Sequence, residues 1–587
     1  MIGVYLCIPL LRVGVGRARV TLIVVALLII GLGTCGKISP LHHPKGTSVK
    51  LLSRVFFILV FLTASTRAFA GPQGKAFELY PATNDAAPTT FTKTAPAFQA
   101  DGQPWKFAYG AKVSVKIDAD QVLHQVTPYQ FGNNIAWWDT KSWVLDPDRI
   151  EKAKQAGIKF WRWPGGSSSD EYNWDGKYDK PVPGEKDPGH MNQAWSVSSD
   201  DFIEFCRQTG SEAIVTANYG ISRYGDVKTA ADLAARWVKY FNIDKKFKVR
   251  YWEIGNEVYG SWEVGNKIDG KPQLTGDVYG KDFQIIAAAM RKVDPDIFIG
   301  AVGVDTDAGG DWDGYHWWMR DLLPQLKGKA DFLILHQYFM WPFTGDTYTN
   351  PTNDAFLGNL HKVTDALGSA NQMIDKYAAA EKGIPVALTE FNLVNASPEP
   401  TIELINGLFT AEVLGDHIKA GYVDSNYWDW KNGLDGKLHG DMAMLASGDN
   451  SAPDATPRPS YYSYALYSRA FGDKMIAAES SVPTVKVYAS RFSSGELGLI
   501  IVNENDKNQT VTFDLAGFKP QGKLMGWVLT GKGLNEKQVS WNGTPGPLGG
   551  GGPFPIDPIK PYRGTFKTDK PLQLAIQADS ATGIILY

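Results

Sequence analysis

The chain has 587 residues, 44% of them hydrophobic and 12% aromatic, with 19 tryptophans. Its formal charge of −3 hides a skew, because residues 1–70 carry eight Lys or Arg and no Asp or Glu, which leaves 51 basic against 62 acidic residues in the remainder. A body that acidic, with no basic run, argues against nucleic acid as a partner and against a polyanionic polysaccharide as the main substrate. The length allows roughly two to four domains. Three cysteines, Cys7, Cys35 and Cys206, form no disulfide framework. Cys206 lies in the helical pattern Phe202–Cys206 and reads as a buried, inert thiol. The aromatic content suits a sugar-binding surface, where ring faces pack on C–H faces, and equally suits the core of a large barrel.

Two apolar runs come first, Thr21–Gly33 and Val55–Leu62, both too short for a typical membrane span. The second has the parts of a secretory signal: Lys50 and Arg54 before it, and Ala68-Phe-Ala70 after it as a cleavage site ahead of Gly71. Residues 1–70 are therefore expected to be a targeting segment, the mature protein being secreted or periplasmic with no integral membrane span. The first run then points to a start further downstream, near Val49, or to an anchor at Leu32-Gly-Thr-Cys35.

Residues 71–110, rich in Pro, Ala and Thr, read as an extended leader. Ala111–Ile117 alternates as a strand, and Asp118-Ala-Asp120 reads as a turn. From residue 131 the chain repeats a short apolar strand, a loop and a helical stretch. Eight strands are expected, at 131–136, 158–163, 213–218, 249–254, 297–303, 331–336, 384–390 and 421–428. Helices fall between them, at Pro147–Ala156, Ser199–Thr209, Ala230–Phe241, Lys281–Val293 and Phe356–Glu381. Eight such units in roughly 300 residues are the count and size of a (β/α)8 barrel, placed at 131–470. An open doubly wound sheet would carry a Gly-rich phosphate loop after its first strand, and Gly132-Asn-Asn134 is no such loop. Tyr461–Met475 looks helical. Beyond it, alternating runs at 484–489, 497–502, 510–515, 524–529, 572–576 and 582–587 predict a β-sandwich over 471–587. The strand within 111–130 matches their pattern and is expected to join that sandwich.

Tyr251-Trp-Glu-Ile-Gly-Asn-Glu257 runs an apolar strand into a glycine turn that presents an amide and a carboxyl at a barrel strand's end. Ile384–Phe391 is a second strand of that kind, ending at Glu390. In a barrel the fourth and seventh strand ends face each other across the mouth. Two carboxyls there can cleave a glycosidic bond, with retention at a gap of roughly 5 Å and with inversion at about 6.5–9.5 Å.

Trp252–Glu257, Leu335-His-Gln-Tyr338 and Leu388-Thr-Glu-Phe-Asn392 resemble the clan of barrel glycosidases with catalytic Glu on strands 4 and 7. Within it, Arg162-Trp-Pro-Gly-Gly166 and Gly255-Asn-Glu-Val-Tyr-Gly-Ser-Trp262 resemble glycoside hydrolase family 51, the α-L-arabinofuranosidases. The likeness runs over roughly 110–587. It implies Glu257 as acid/base and Glu390 as nucleophile, with no cofactor. It further implies Arg162 as the cation that keeps Glu390 ionised, Tyr338 donating to Glu390, and His336 supporting it or touching the sugar. Asn256 would bond a sugar hydroxyl, Trp262 and Trp428 would offer stacking faces, and Asn134 would stand where the family usually has a furanose-binding Glu. Ser167 replaces the family's Asn after Pro-Gly-Gly, and Val258-Tyr259 replaces Met-Asp. These departures lie in the pocket for the terminal sugar.

The loop 167–195, with Trp174, Tyr178 and Trp195, and the stretch Met340–Phe343 add aromatic walls that fit a one-sugar pocket or a cleft. Asp305–Asp313 lacks the spacing of a helix–loop–helix calcium site and reads as a solvated acidic loop. A secreted retaining glycosidase acting on plant-type polysaccharide is the leading reading, arabinofuranosidase-like or an endo-acting β-glucanase or xylanase. Two other classes, a non-catalytic carbohydrate-binding protein and a membrane-anchored structural protein, fit the sequence less well.

Overall fold

A computed structural model describes residues 76–77, 91–176, 193–306, 317–344, 347–378, 380, 382–448 and 452–587. The expected targeting segment, Tyr178, and most of the 305–313 loop lie outside the described residues.

Eight parallel strands close into a barrel: β1 Gly132–Asn134, β2 Phe160–Trp163, β3 Glu212–Ala217, β4 Tyr251–Ile254, β5 Phe298–Val302, β6 Phe332–Tyr338, β7 Val386–Asn392 and β8 Ser425–Tyr427. Each pairs with the next, and β8 pairs with β1. The expected barrel and its eight strands are borne out, with boundaries shifted by a few residues.

Strand periodicity explains how a packed interior becomes a polar mouth. Side chains two residues apart share a face, so Phe160 and Arg162 on β2 both point inward, as do Tyr251 and Glu253 on β4. The lower layer is aromatic: Tyr129, Phe160, Tyr251 and Phe332 meet there around Phe77. Phe77 stacks on Tyr251 with ring centroids 4.6 Å apart, and its backbone N–H donates to the Tyr251 hydroxyl. A leader residue thus closes the barrel's floor. Outward-facing Trp161, Trp163 and Trp252 pack on the surrounding helices against Phe205, Phe202 and Trp237. Much of the indole content is therefore core.

Helices Pro147–Ala156 and Ser199–Thr209 match their expected bounds. The segment after β6 breaks into Asn353–Gly358, a 3-10 turn and Lys362–Tyr377. Tyr461–Met475 is corrected: the helix spans Pro459–Ala470, and Met475 belongs to the strand Lys474–Ser480. Aromatic density alone does not separate the two periods there.

The expected β-sandwich is borne out: ten C-terminal strands and two from before the barrel are hydrogen-bonded as one curled twelve-stranded sheet that folds over its own core. The strand before the barrel enters it as expected, but at Ala111–Gln125 it is twice the expected length. It runs antiparallel to Lys474–Ser480 and parallel to Gln509–Ala516. Asp118-Ala-Asp120 does not turn the chain; the register slips by a bulge there and the strand continues. Leu497–Asn503 is buried on both faces. Leu497, Leu499 and Ile501 fill the sheet's own core, while Ile500 and Val502 join the barrel's cluster. Helix Leu404–Ala420 is buried nearly all round for the same reason, being covered by barrel and sheet together.

Candidate active site

Two carboxyls meet at the barrel's C-terminal mouth. Glu390 sits two residues inside the end of β7, and Glu257 lies three residues past the end of β4. Gly255, at φ +82°, makes the turn that Glu257 needs; a Cβ there would lie 2.7 Å from Val258 Cγ1. Glu257 itself holds φ +41°, a strained value for a residue with a side chain, and such strain collects at functional sites. His336 on β6 lies between the pair, its Nδ1 3.0 Å from Glu257 Oε1 and 3.6 Å from Glu390 Oε2. Those two oxygens are therefore within 3.0 plus 3.6, that is 6.6 Å, of each other.

Arg162 organises the floor of the site. Fully buried, it donates from Nε to Glu253 (2.7 Å), from Nη1 to Glu390 (3.1 Å) and Asn134 (3.1 Å), and from Nη2 to Asn256 (2.8 Å). Burial works against its charge, but Glu253 and Glu390 more than compensate. Glu253, in an otherwise apolar strand, is the residue that the motif contained and the sequence reading passed over. A buried charge needs a partner, and Arg162 and the Thr216 hydroxyl (2.6 Å) supply it. Tyr338 donates its hydroxyl to Glu390 Oε1.

Four other residues hold stations different from those expected. Asn134 is wholly buried, accepting from Arg162 and donating to the Thr389 and Tyr427 carbonyls. It braces Arg162 from beneath and is not placed to touch a sugar. His336 hydrogen-bonds Glu257, with Thr389 Oγ1 on its other nitrogen at 3.2 Å, so its closer carboxyl is the opposite of the one expected. Asn256 gives its amide oxygen to Arg162 and one amide hydrogen to Glu263 (3.1 Å), while Asp170 accepts its backbone N–H (3.0 Å). Little of that amide remains for a ligand. Trp428 is nearly buried, with its ring against Gly165–Gly166. A Cβ on Gly166 would come within 2.8 Å of that indole, which explains the paired glycines. Trp262, half-exposed, donates from its indole N–H to Glu257 Oε2 at 3.0 Å, and Tyr259 donates to Oε1 at 3.1 Å.

Burial raises the Glu257 carboxyl, but His336, Trp262 and Tyr259 outweigh it and hold the group below its ordinary value. Burial raises Glu390, and the charge of Glu257 adds to this against the pull of His336, Arg162 and Tyr338. The charge of each carboxylate raises the other's affinity for a proton, so the first proton the pair takes up is divided between them. The resemblance implies that proton on Glu257, whereas the ligand-free site tilts it toward Glu390, because Glu257 collects three donors.

Further buried carboxyls surround the pair. Glu263 accepts from the Ser167 hydroxyl at 2.7 Å as well as from Asn256, and burial raises it well above the usual range. Asp170 is pushed up to about 8 by burial. Beneath the loop after β8, burial lifts Asp139 to about 7 with Lys431 Nζ 3.9 Å away, and Asp429 lies close by. None of these was singled out from the sequence, since each is isolated in the chain. Among the described residues no group of three or more His, Cys, Asp or Glu is arranged to hold a metal ion. Nor is any helix there long and apolar enough to cross a membrane.

Residues 152–332 match the family model described as the alpha-L-arabinofuranosidase 1 domain. An intracellular exo-α-L-arabinofuranosidase of Bacteroides ovatus is 24% identical over 66% of this chain and 78% of its own. An intracellular exo-α-(1->5)-L-arabinofuranosidase of Acetivibrio thermocellus is 26% identical over 42% of this chain and 48% of its own, so about half of that relative is spanned. Among solved structures, an α-L-arabinofuranosidase from Thermotoga maritima in complex with arabinose superposes with a TM-score of 0.60 at 19% identity, covering 81% of this chain and 99% of its own. A family 44 xyloglucanase from Paenibacillus polymyxa does so at 0.57 and 17%, covering 81% and 100%.

Proposed function

We propose that this chain, a glycoside hydrolase of the family 51 type, releases arabinofuranosyl units by double displacement with retention. One observation carries the reading: Glu257 and Glu390 face one opening with carboxyl oxygens no more than 6.6 Å apart. That bound accommodates the retaining gap of about 5–5.5 Å and lies at the bottom edge of the inverting range. In the first step Glu390 attacks the anomeric carbon while the bond to the leaving oxygen breaks and Glu257 protonates that oxygen. In the second, water attacks the anomeric carbon, the ester bond to Glu390 breaks to release its carboxylate, and Glu257 takes a proton from the attacking water. The reactive form needs the shared proton on Glu257, and substrate selects it. A leaving oxygen accepts only from the protonated acid, and the developing positive charge is stabilised only by an ionised Glu390. Arg162 and Tyr338, both donating to Glu390, support its negative charge.

The test is hydrolysis of 4-nitrophenyl α-L-arabinofuranoside, alongside the xyloside and glucoside and soluble arabinan, xylan and glucan, with the anomer of the first product read by NMR. Glu390→Gln and Glu257→Gln are each expected to cost several powers of ten in turnover. An inverted product, or wild-type rates in either variant, would refute the assignment. The segment Lys50–Ala70 supports an exported form, for which N-terminal sequencing of the mature protein should read from Gly71.

A further inference from the structure

Glu257 projects from a backbone held at φ +41°, and a conformation of that kind persists only where its surroundings enforce it. The enforcing contacts converge on the residue before it. Asn256 donates its backbone N–H to Asp170 Oδ2 at 3.0 Å. Its amide oxygen accepts from Arg162 at 2.8 Å, and its amide N–H donates to Glu263 Oε1 at 3.1 Å. Glu263 stands seven positions beyond Asn256, so this last bond closes a loop of chain, 256–263, that carries Glu257 within it. Inside the loop the Gly260 N–H donates to the Glu257 carbonyl at 2.7 Å, and the Glu263 N–H to the Gly260 carbonyl at 3.1 Å. Tyr259 and Trp262, which both donate to the Glu257 carboxyl, ride on the same loop. From outside, the Ser167 hydroxyl ties Glu263 to the segment after β2 at 2.7 Å.

The contacts on Glu263 are one-sided. Oε1 takes both donors, whereas Oε2 is buried and has no hydrogen-bond partner among the described residues. Burial, with the charges of Asp170 and Glu257 adding to it, raises this carboxyl well above its ordinary value and so favours the neutral acid, the form that a glutamine imitates. We propose that Glu263 is a positioning residue for proton transfer: by closing the 256–263 loop through Asn256 it fixes where the Glu257 carboxyl meets the leaving oxygen. The proposal rests on the acid/base assignment of Glu257 and deepens it by naming what aims that acid.

Loss of aim has a signature that loss of fold lacks. A 4-nitrophenolate departs as a stable anion with little help from an acid, whereas an alkoxide needs its proton. The experiment measures kcat/KM, which reports the glycosylation step, on 4-nitrophenyl and methyl α-L-arabinofuranoside for wild type, Glu263→Ala, Glu263→Gln, Ser167→Ala and Glu257→Ala. Glu263→Ala is expected to lose about 100-fold on the methyl glycoside and less than about tenfold on the aryl one. Glu263→Gln, which keeps the accepting oxygen, should stay within about threefold of wild type on both. Ser167→Ala, at an exposed position where folding is not at stake, should lose about two- to fivefold on the methyl glycoside alone. Should Glu263→Ala fail to fold, Glu263→Asp, one methylene too short to reach both partners, should show the same selectivity. Equal losses on the two substrates, or a Glu263→Gln deficit as large as that of Glu263→Ala, would overturn the proposal. Glu257→Ala separates the two claims. If it is selective against the methyl glycoside and the Glu263 variants are not, only the positioning role fails; if it is not selective, the acid/base reading fails first.

Discussion

Replacing Tyr338 by Phe removes one atom, the hydroxyl that donates to Glu390 Oε1, while Arg162 remains on Oε2. The ring stays, so the barrel should fold. A hydrogen bond to a charged acceptor is worth about 1.5–3 kcal/mol, and because the acceptor is buried the loss is not made good by bulk water. Since the bond is made to the ionised form, its loss should raise the Glu390 carboxyl by roughly one to two units at about 1.4 kcal/mol each. The direction follows from the site, where Tyr338 is among the groups opposing the upward push of burial. In kcat/KM against pH for 4-nitrophenyl α-L-arabinofuranoside, the acid limb should move up by that amount. The deficit should therefore deepen as pH falls, beyond about tenfold below the wild-type limb and smaller on the plateau. A uniform loss at every pH, or a limb that stays in place, would refute the claim that Tyr338 stabilises the charged nucleophile.

Two further outcomes follow from buried groups outside the reacting pair. Phe77→Ala should empty the aromatic floor and destabilise the barrel by about 3–5 kcal/mol; a urea midpoint equal to wild type would show that Phe77 carries none of that packing. For Asp139, raised to about 7 by burial, the folded state holds a proton that the unfolded state releases near the ordinary carboxylate value. Its contribution is complete at low pH and drains away as pH climbs from about 4 to 7. Asp139→Asn should accordingly lose less Tm than wild type between pH 5 and pH 8, and parallel Tm curves would contradict this.

The barrel was legible because its strands are short apolar runs at regular spacing, and the two glutamates because each ends or nearly ends such a run. Glycine before Asn256-Glu257 marked the turn in the residues themselves. What stayed hidden depends on distance across the barrel. The sequence says nothing of which carboxyl His336 will reach, since 79 positions separate it from Glu257 and 54 from Glu390. Asn134 looked available because an amide beside a strand end is polar; only the closed barrel brings Arg162 and two carbonyls within its reach. Asp118-Ala-Asp120 carries turn chemistry, yet partners on both sides kept the chain extended and absorbed the mismatch as a bulge. Met475 was assigned to a helix because Tyr461–Ala470 sets a pattern whose end leaves no strong local mark.

The strand Ala111–Gln125 begins life without a partner. During synthesis its first neighbour starts at Lys474, 349 positions after its last residue. At cellular elongation rates that is a wait of roughly 20–70 s. Through that interval fifteen alternating residues offer two open hydrogen-bonding edges, the kind of surface that joins strangers. Lys112, Lys116, Asp118 and Asp120 on its solvent-facing side supply charge that discourages such encounters. A fragment ending with the barrel would leave the wait without an end, so the catalytic half should be produced only with the sheet that follows it.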